Sequence, residues 1–302
     1  MPSSRDQFVA TMTEVLDHDE RAAIVLADIS ADRFIPAAVR HPDRVVNVGI
    51  REQAMIGVAA GLALAGMRPV VHSYAAFLVE RPFEQIKVDL GHQDLGAVLV
   101  AIAGSYEASG EGRTHQSPAD VMLLDTVPGF TVHLPGHAAE VDYLLRQSMS
   151  GDDRVYLRLS GLSNREARLP VAGDDRTGRM TVVRKGSSGT VIAVGPSLDP
   201  VLDATSGLDV TVLYAATIRP FDSATLVSTL SRPDVVIVEP LLAGTSLPPV
   251  ARALAHLPHR VLALGVQDPE LRRYGEPADH ARAHGLDAGG IREAVGGFLA
   301  GA

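Results

Sequence analysis

Short runs that are apolar at nearly every position, separated by longer stretches of helical periodicity, constrain this chain more than any other feature. Ala23 to Ala27, Val45 to Ile50, Pro69 to Ser73, Ala97 to Ala103, Phe130 to Leu134 and Val155 to Leu159 read as buried strands. Segments 51–65, 77–91, 117–126 and 138–149 read as the helices between them. A strand that is apolar on both faces must be covered on both, which is the situation of a parallel sheet with helices on either side. A second series repeats the pattern, with strands at 190–195, 209–213, 234–238 and 260–264 and helices near 197–206, 222–230, 244–256 and 289–300. Between the two, Asn164 to Glu166 and Gly173 to Arg176 read as solvated, with one short strand near Met180 to Arg184. The expected fold is therefore α/β in two domains, each a mostly parallel sheet flanked by helices. The first covers 1–162, a connection 163–187, and the second 188–302; a chain of 302 residues exceeds what one core usually serves.

Composition removes several classes of function. The net charge of −9 gives no general attraction for nucleic acid or for anionic membranes, so neither is expected as a partner. The absence of cysteine excludes disulfides, thiolate catalysis and thiolate metal sites, and fits a reducing cytoplasm. Residues 1–6 lack the apolar stretch of a signal peptide, and no window approaches the roughly 18 apolar residues that span a bilayer. A cytoplasmic protein is expected.

The most informative stretch runs from Asn47 to Gly66. A strand ends at Ile50 and a helix of small residues begins at once, which puts Glu52 in the first turn, where the helix dipole favours a carboxylate. Alone, such a glutamate more often just stabilises its helix. Here Gly57, Ala59, Ala60, Gly61, Ala63, Ala65 and Gly66 let the helix approach another backbone closely, as an interface helix must. With those flanks the stretch resembles the transketolase family, whose pyrimidine-binding domain carries Gly-Ile-Arg/Ala-Glu-Gln/His before a helix of small residues.

The resemblance extends along the chain in order. Val70 to Phe77, leading into Arg81 to Ile86, is similar to the strand-to-helix turn whose aromatics enclose the pyrimidine ring of thiamine diphosphate. Gly110 to Gln116 resembles the family's Gly-Glu-Asp-Gly-Pro-Thr-His-Gln element. Leu26 to Asp28, Thr217 to Asp222 and Val236 to Pro240 have counterparts as well. The resemblance implies that Glu52 hydrogen-bonds N1′ of the cofactor's aminopyrimidine, favouring the 4′-imino tautomer that takes the C2 proton; a shielded carboxylate suits this, because low dielectric strengthens the bond. It places Phe77 against the ring, with Tyr74, Asp28 and Ile50 around the cofactor, and His115 beside the reacting carbon as the second catalytic residue. Glu111, Arg113, Arg81 and Asp32 fall at substrate-facing positions. His256, His259, His280 and His284 read as solvated, and the second domain is assigned no chemistry.

What is missing is also informative. The family binds diphosphate and metal through a Gly-Asp-Gly segment followed further on by Asn, and this chain has no Gly-Asp-Gly. Gly151 to Asp153 and Gly173 to Asp175 sit in polar loops rather than after a strand, so no metal ligands are assigned here. The resemblance then implies one half of a split, two-component transketolase. A separate N-terminal-type, diphosphate-binding subunit would hold thiamine diphosphate with Mg2+ or Ca2+, in an α2β2 heterotetramer acting on sugar-like substrates. Where transketolases hold a sugar phosphate with serine, histidine and arginine, this chain has Asp32, Ala103 and Gly161, which implies an unphosphorylated substrate. Three rivals remain: the β subunit of a 2-oxoacid dehydrogenase, a carboligase like deoxyxylulose phosphate synthase, and a non-catalytic relative that keeps the fold.

Overall fold

In the computed structural model, residues 2–170 and 178–301 are described; the solvated segment expected at Gly173 to Arg176 lies outside them. The first six strands are β1 (Ala22–Leu26), β2 (Val45–Asn47), β3 (Arg68–Tyr74), β4 (Val98–Ile102), β5 (Phe130–His133) and β6 (Arg154–Arg158). The next six are β7 (Thr181–Arg184), β8 (Thr190–Val194), β9 (Thr211–Ala215), β10 (Thr217–Arg219), β11 (Asp234–Leu242) and β12 (Arg260–Val266). They form a seven-stranded sheet in the order β10-β5-β6-β4-β3-β1-β2 and a five-stranded sheet in the order β12-β11-β8-β9-β7. All pairings are parallel except β10 with β5 and β7 with β9. The α/β reading in two parallel-rich layers is what the chain adopts.

The uniformly apolar strands explain this arrangement. Every residue of β1, β4, β8 and β9 is buried, so both faces of each sheet need helices, and they receive them. One consequence was not visible in the periodicity. The edge strand β10 comes from the second series, yet it closes the first sheet: Leu134 donates to the Ala216 carbonyl at 2.6 Å, and His133 Nδ1 lies 2.9 Å from Thr217 Oγ1. The two halves therefore share a sheet edge as well as a connection.

Three local differences from the sequence reading have physical causes. A helix at Ser4–His18, left unassigned above, opens on a capping box between Ser3 and Asp6 and buries Phe8, Met12, Val15 and Leu16 on one face. The strand expected to reach Ile50 stops at Asn47, because the Asn47 amide folds back to bond Asp28 and Gly49 and turns the chain. The helix expected over 77–91 is built largely of wide π-type turns, Ala76–Glu80 and Ile86–His92, around a short α segment at Phe83–Gln85. Such turns concentrate at functional sites, where they re-aim side chains.

Two buried histidines give the fold a pH dependence of known sign. His72 in β3 has its Nδ1 at 2.8 Å from the Val100 carbonyl and its Nε2 at 2.9 Å from Ser30 Oγ. Burial pulls both His72 and His133 down to about 4 from the ordinary 6.5. Between those values the unfolded chain binds more protons than the folded one. Their stabilising contribution is thus complete above pH 6.5 and is lost as pH falls towards 4. Urea unfolding at about pH 7.5 and about pH 5 should show a loss, with up to about 3 kcal/mol from each histidine at full protonation, and the double His72→Gln/His133→Gln variant should show a shallower fall. Equal slopes for the two proteins would contradict this assignment.

Candidate active site

The carboxyl ends of the parallel strands in the first sheet all open on one edge, and the side chains singled out in the sequence gather there. Asp28 follows β1, Ile50 and Glu52 follow β2, Tyr74 ends β3, and the segment carrying Arg113 and His115 follows β4. Glu52 is the first residue of the helix Glu52–Leu64, and only 1% of it is exposed. Arg81 Nη1 donates to Glu52 Oε1 at 2.7 Å, and the same guanidinium carbon stands 3.9 Å from the Phe77 ring centroid. Phe77 and Arg81, four residues apart, share one side of the wide turn at Ala76–Glu80, where the Arg81 amide bonds Ala76 O.

Three rings pack together beside this pair. His115 meets Phe77 edge-on at 4.8 Å between centroids and Tyr74 at 5.3 Å, and Tyr74 meets Phe77 at 5.8 Å. The structure thus brings together Glu52, Tyr74, Phe77, Arg81 and His115. Asp28 and Ile50 share the sheet edge but stand outside this cluster: Asp28 pairs with Asn47, and Ile50 is 70% exposed beside the start of the glutamate helix. Asp32 and Glu111 are exposed on short turns. Arg113 is engaged elsewhere, at 3.0 Å from Glu270 and 2.8 Å from the Gln116 carbonyl. Together these side chains present a buried carboxylate, a guanidinium and three aromatic rings in mutual contact.

Behind the cluster lies a buried polar network that the sequence did not announce. Arg158 Nε donates to Asp120 Oδ2 at 2.6 Å, and Tyr156 Oη donates to the same oxygen at 2.7 Å. Arg158 Nη2 reaches Ser105 Oγ at 2.8 Å, and Ser105 in turn donates to the Pro240 carbonyl of the second half. Ser105 and Ser117 pair through their backbones, pinning both ends of the loop that carries His115. Within that loop Glu107 accepts from Ser160 Oγ at 2.5 Å and from the Gly161 amide at 2.6 Å, and burial raises its proton affinity. The signal for the network was available in the polar Asp120 and Arg158 at otherwise apolar positions of a helix and a strand. His280 and His284, read above as solvated, are buried on one helix face against Tyr106 of the same loop, His280 stacked on it at 5.9 Å.

Comparison with known proteins follows the same lines. The family described as "Transketolase, pyrimidine binding domain" matches residues 1–165. An "Uncharacterized 33.6 kDa protein in fasciation locus" of Rhodococcoides fascians is 53% identical over 296 residues, covering 97% of this chain and 93% of that protein. The "6-deoxy-6-sulfo-D-fructose transketolase subunit SqwH" of Clostridium sp. (strain MSTE9) is 30% identical over 240 residues, covering 77% of this chain and 74% of that one. Among solved structures, a "Split gene transketolase, inactive beta4 tetramer" superposes with a TM-score of 0.84 at 26% identity, over 99% of this chain and 98% of that one.

The network behind the site predicts a sharp stability cost. Arg158→Met strands a buried carboxylate and should lower unfolding stability by about 3–5 kcal/mol in urea titrations, whereas replacing both partners with Arg158→Met and Asp120→Leu should recover part of that loss. Purely additive losses would argue against coupling between the two side chains.

Proposed function

Because the chain belongs to the transketolase family, we propose that it is the pyrimidine-binding subunit of a two-component, thiamine-diphosphate-dependent enzyme that transfers a two-carbon ketol unit from a ketose to an aldehyde. The observation that carries this reading is Glu52: a carboxylate withdrawn from solvent at a helix start, facing a wall made of Phe77, Tyr74 and His115. Thiamine diphosphate, when bound, would supply an acidic carbon for the ketol chemistry. The chain's own residues do the rest. Glu52 binds the pyrimidine through its ring nitrogen and holds the proton there; Phe77 packs on the ring face; Arg81 offers Glu52 a counter-charge at the rim. His115, with Nδ1 at 3.0 Å from the Thr114 hydroxyl, presents its other nitrogen to a substrate oxygen and stabilises charge that develops on it.

Several features support a separate partner. The chain has no Gly-Asp-Gly segment for diphosphate and a divalent metal, so Mg2+ or Ca2+ would be held by the other subunit. Beside the site, Ile50 just before the glutamate helix and Val58 and Leu64 on it expose apolar side chains. An α2β2 assembly, with cofactors between unlike subunits, fits both. The solved relative described as an inactive beta4 tetramer is in keeping with a chain that folds alone and acts only in company. Among the described residues no helix is long and apolar enough to cross a membrane.

The substrate we propose is unphosphorylated. Asp32 stands exposed after β1, and the Gly161 amide donates to the Glu107 carboxylate, so two positions where the resemblance puts phosphate contacts present acids. Reconstitution with the diphosphate-binding subunit tests the whole reading. Ketol transfer should appear only in the mixture, and Glu52→Gln should lower turnover by at least about 10²-fold with folding intact. Release of carbon dioxide from pyruvate in place of ketol transfer would favour a 2-oxoacid-decarboxylating enzyme or a carboligase instead. A strong preference for fructose 6-phosphate over unphosphorylated ketoses would defeat the substrate assignment.

A further inference from the structure

The wide turn Ala76–Glu80 and the loop that ends at Ser117 meet through more than their rings. Ser117 Oγ donates to Glu80 Oε1 at 2.7 Å. Among the described residues this is the one hydrogen bond that joins the turn, with Arg81 after it, to the segment 105–117. The backbone pairing of Ser105 with Ser117 closes the loop on itself but does not tie it to the turn. Three contacts thus leave one short stretch of chain. Phe77 meets the His115 ring at 4.8 Å, Glu80 takes Ser117, and Arg81 reaches Glu52 at 2.7 Å. Neighbours on a helical turn point apart, so Glu80 and Arg81 hold different partners, one on the imidazole's loop and one on the carboxylate's helix.

Burial of the serine gives the contact its weight. Glu80 is exposed, but Ser117 is wholly buried, and its hydroxyl makes no other hydrogen bond among the described residues. Removing the carboxylate leaves a buried donor unsatisfied, which costs more than an ordinary hydrogen bond contributes. The path from Ser117 to the imidazole is short and has little slack. The His115 amide bonds the Gly112 carbonyl at 3.1 Å, the Gln116 amide bonds the Arg113 carbonyl at 3.2 Å, and Ser117 follows directly. Edge-on ring contacts tolerate sliding, whereas a charge-assisted hydrogen bond fixes both distance and direction. Glu80 therefore sets the register between the two arms, which ring packing alone leaves loose.

Resting on the ketol-transfer reading above, we propose that Glu80 is a positioning residue that fixes the His115 imidazole relative to Glu52 through Ser117. Two measurements test it. In the full chain without its partner, the His115 ring protons lie beside the Phe77 and Tyr74 rings and carry their ring-current shifts. Those resonances, assigned with His115→Gln, should move in Glu80→Ala and stay in place in Glu80→Gln, which keeps the acceptor oxygen. In the reconstituted enzyme Glu80→Ala should lower kcat about tenfold while KM for the ketose and the affinity for thiamine diphosphate change by less than about twofold. Glu80→Gln should keep most of the wild-type kcat. Ser117→Ala, which deletes one oxygen, should reproduce the loss, and the double variant should be no worse than either single one. Unmoved His115 resonances in Glu80→Ala overturn the positioning role. A loss confined to KM, an equal loss in Glu80→Gln, or additive losses in the double variant overturn the catalytic consequence. If the wild-type mixture shows no ketol transfer, the functional reading fails, while the resonances still decide whether Glu80 fixes the ring.

Discussion

The buried contact between Arg158 and Asp120 is the constraint on which the rest of this molecule turns. Both side chains are almost wholly inaccessible, so each charge depends on the other and on its remaining hydrogen bonds. Arg158 ends β6 and Asp120 opens a short helix, so the pair fixes where the chain leaves the sheet and where it returns. Its third partner, Ser105, passes the constraint to the Pro240 carbonyl in the second sheet. Gly104 is glycine because the guanidinium occupies the space where a side chain would go. One charged pair thereby sets the root of a loop, the start of a helix and the seam between two sheets.

That seam gives the site its shape. Parallel strands deliver their carboxyl ends to a common edge, but an edge alone is open. Here β10 closes one side of the first sheet, and the segment after β12 rests on the loop that follows β4. After β3, Phe77 and Arg81 stand four residues apart on one side of the wide turns, with Arg81 reaching Glu52. Chemistry and scaffold meet in Arg81, whose guanidinium both neutralises a buried carboxylate and covers an aromatic face.

Much of this was legible in the sequence. Uniformly apolar strands announced two parallel-rich sheets, and the glycine, arginine and glutamate before a helix of small residues marked Glu52, because both signals depend on local pattern. Tyr74, Phe77 and His115 were placed by motif, and the fold brings their rings into contact. What stayed hidden depends on long-range pairing. No periodicity reveals that Thr217–Arg219 crosses to the first sheet, since a three-residue strand carries no pattern of its own. His280 and His284 sit four residues apart, which is a helix face, but only the arrival of Tyr106 from the other half distinguishes that face from a solvated one. The helix Ser4–His18 is legible in the sequence, since its capping box and its apolar positions at 8, 12, 15 and 16 follow the helical spacing.

The glutamate helix carries a last piece of reasoning about what lies outside the chain. A glycine inside a helix costs about 1 kcal/mol relative to alanine, so it needs a reason. At Gly91 the reason is internal, because a β-carbon there would lie 2.6 Å from the Val127 side chain. At Gly61 nothing lies within 4 Å of where a β-carbon would stand, and at Gly57 the nearest atom is in ordinary contact at 3.8 Å. Neither glycine is required by the packing of this chain. Val58 and Leu64 on the same helix are exposed, while Glu52, Met55, Ile56, Ala59 and Ala60 are buried. The helix is thus finished on its inner face and unfinished on its outer one. A close-approaching backbone from a second polypeptide would account for both the smallness and the exposure, along the helix whose first residue is the carboxylate that the site is built around.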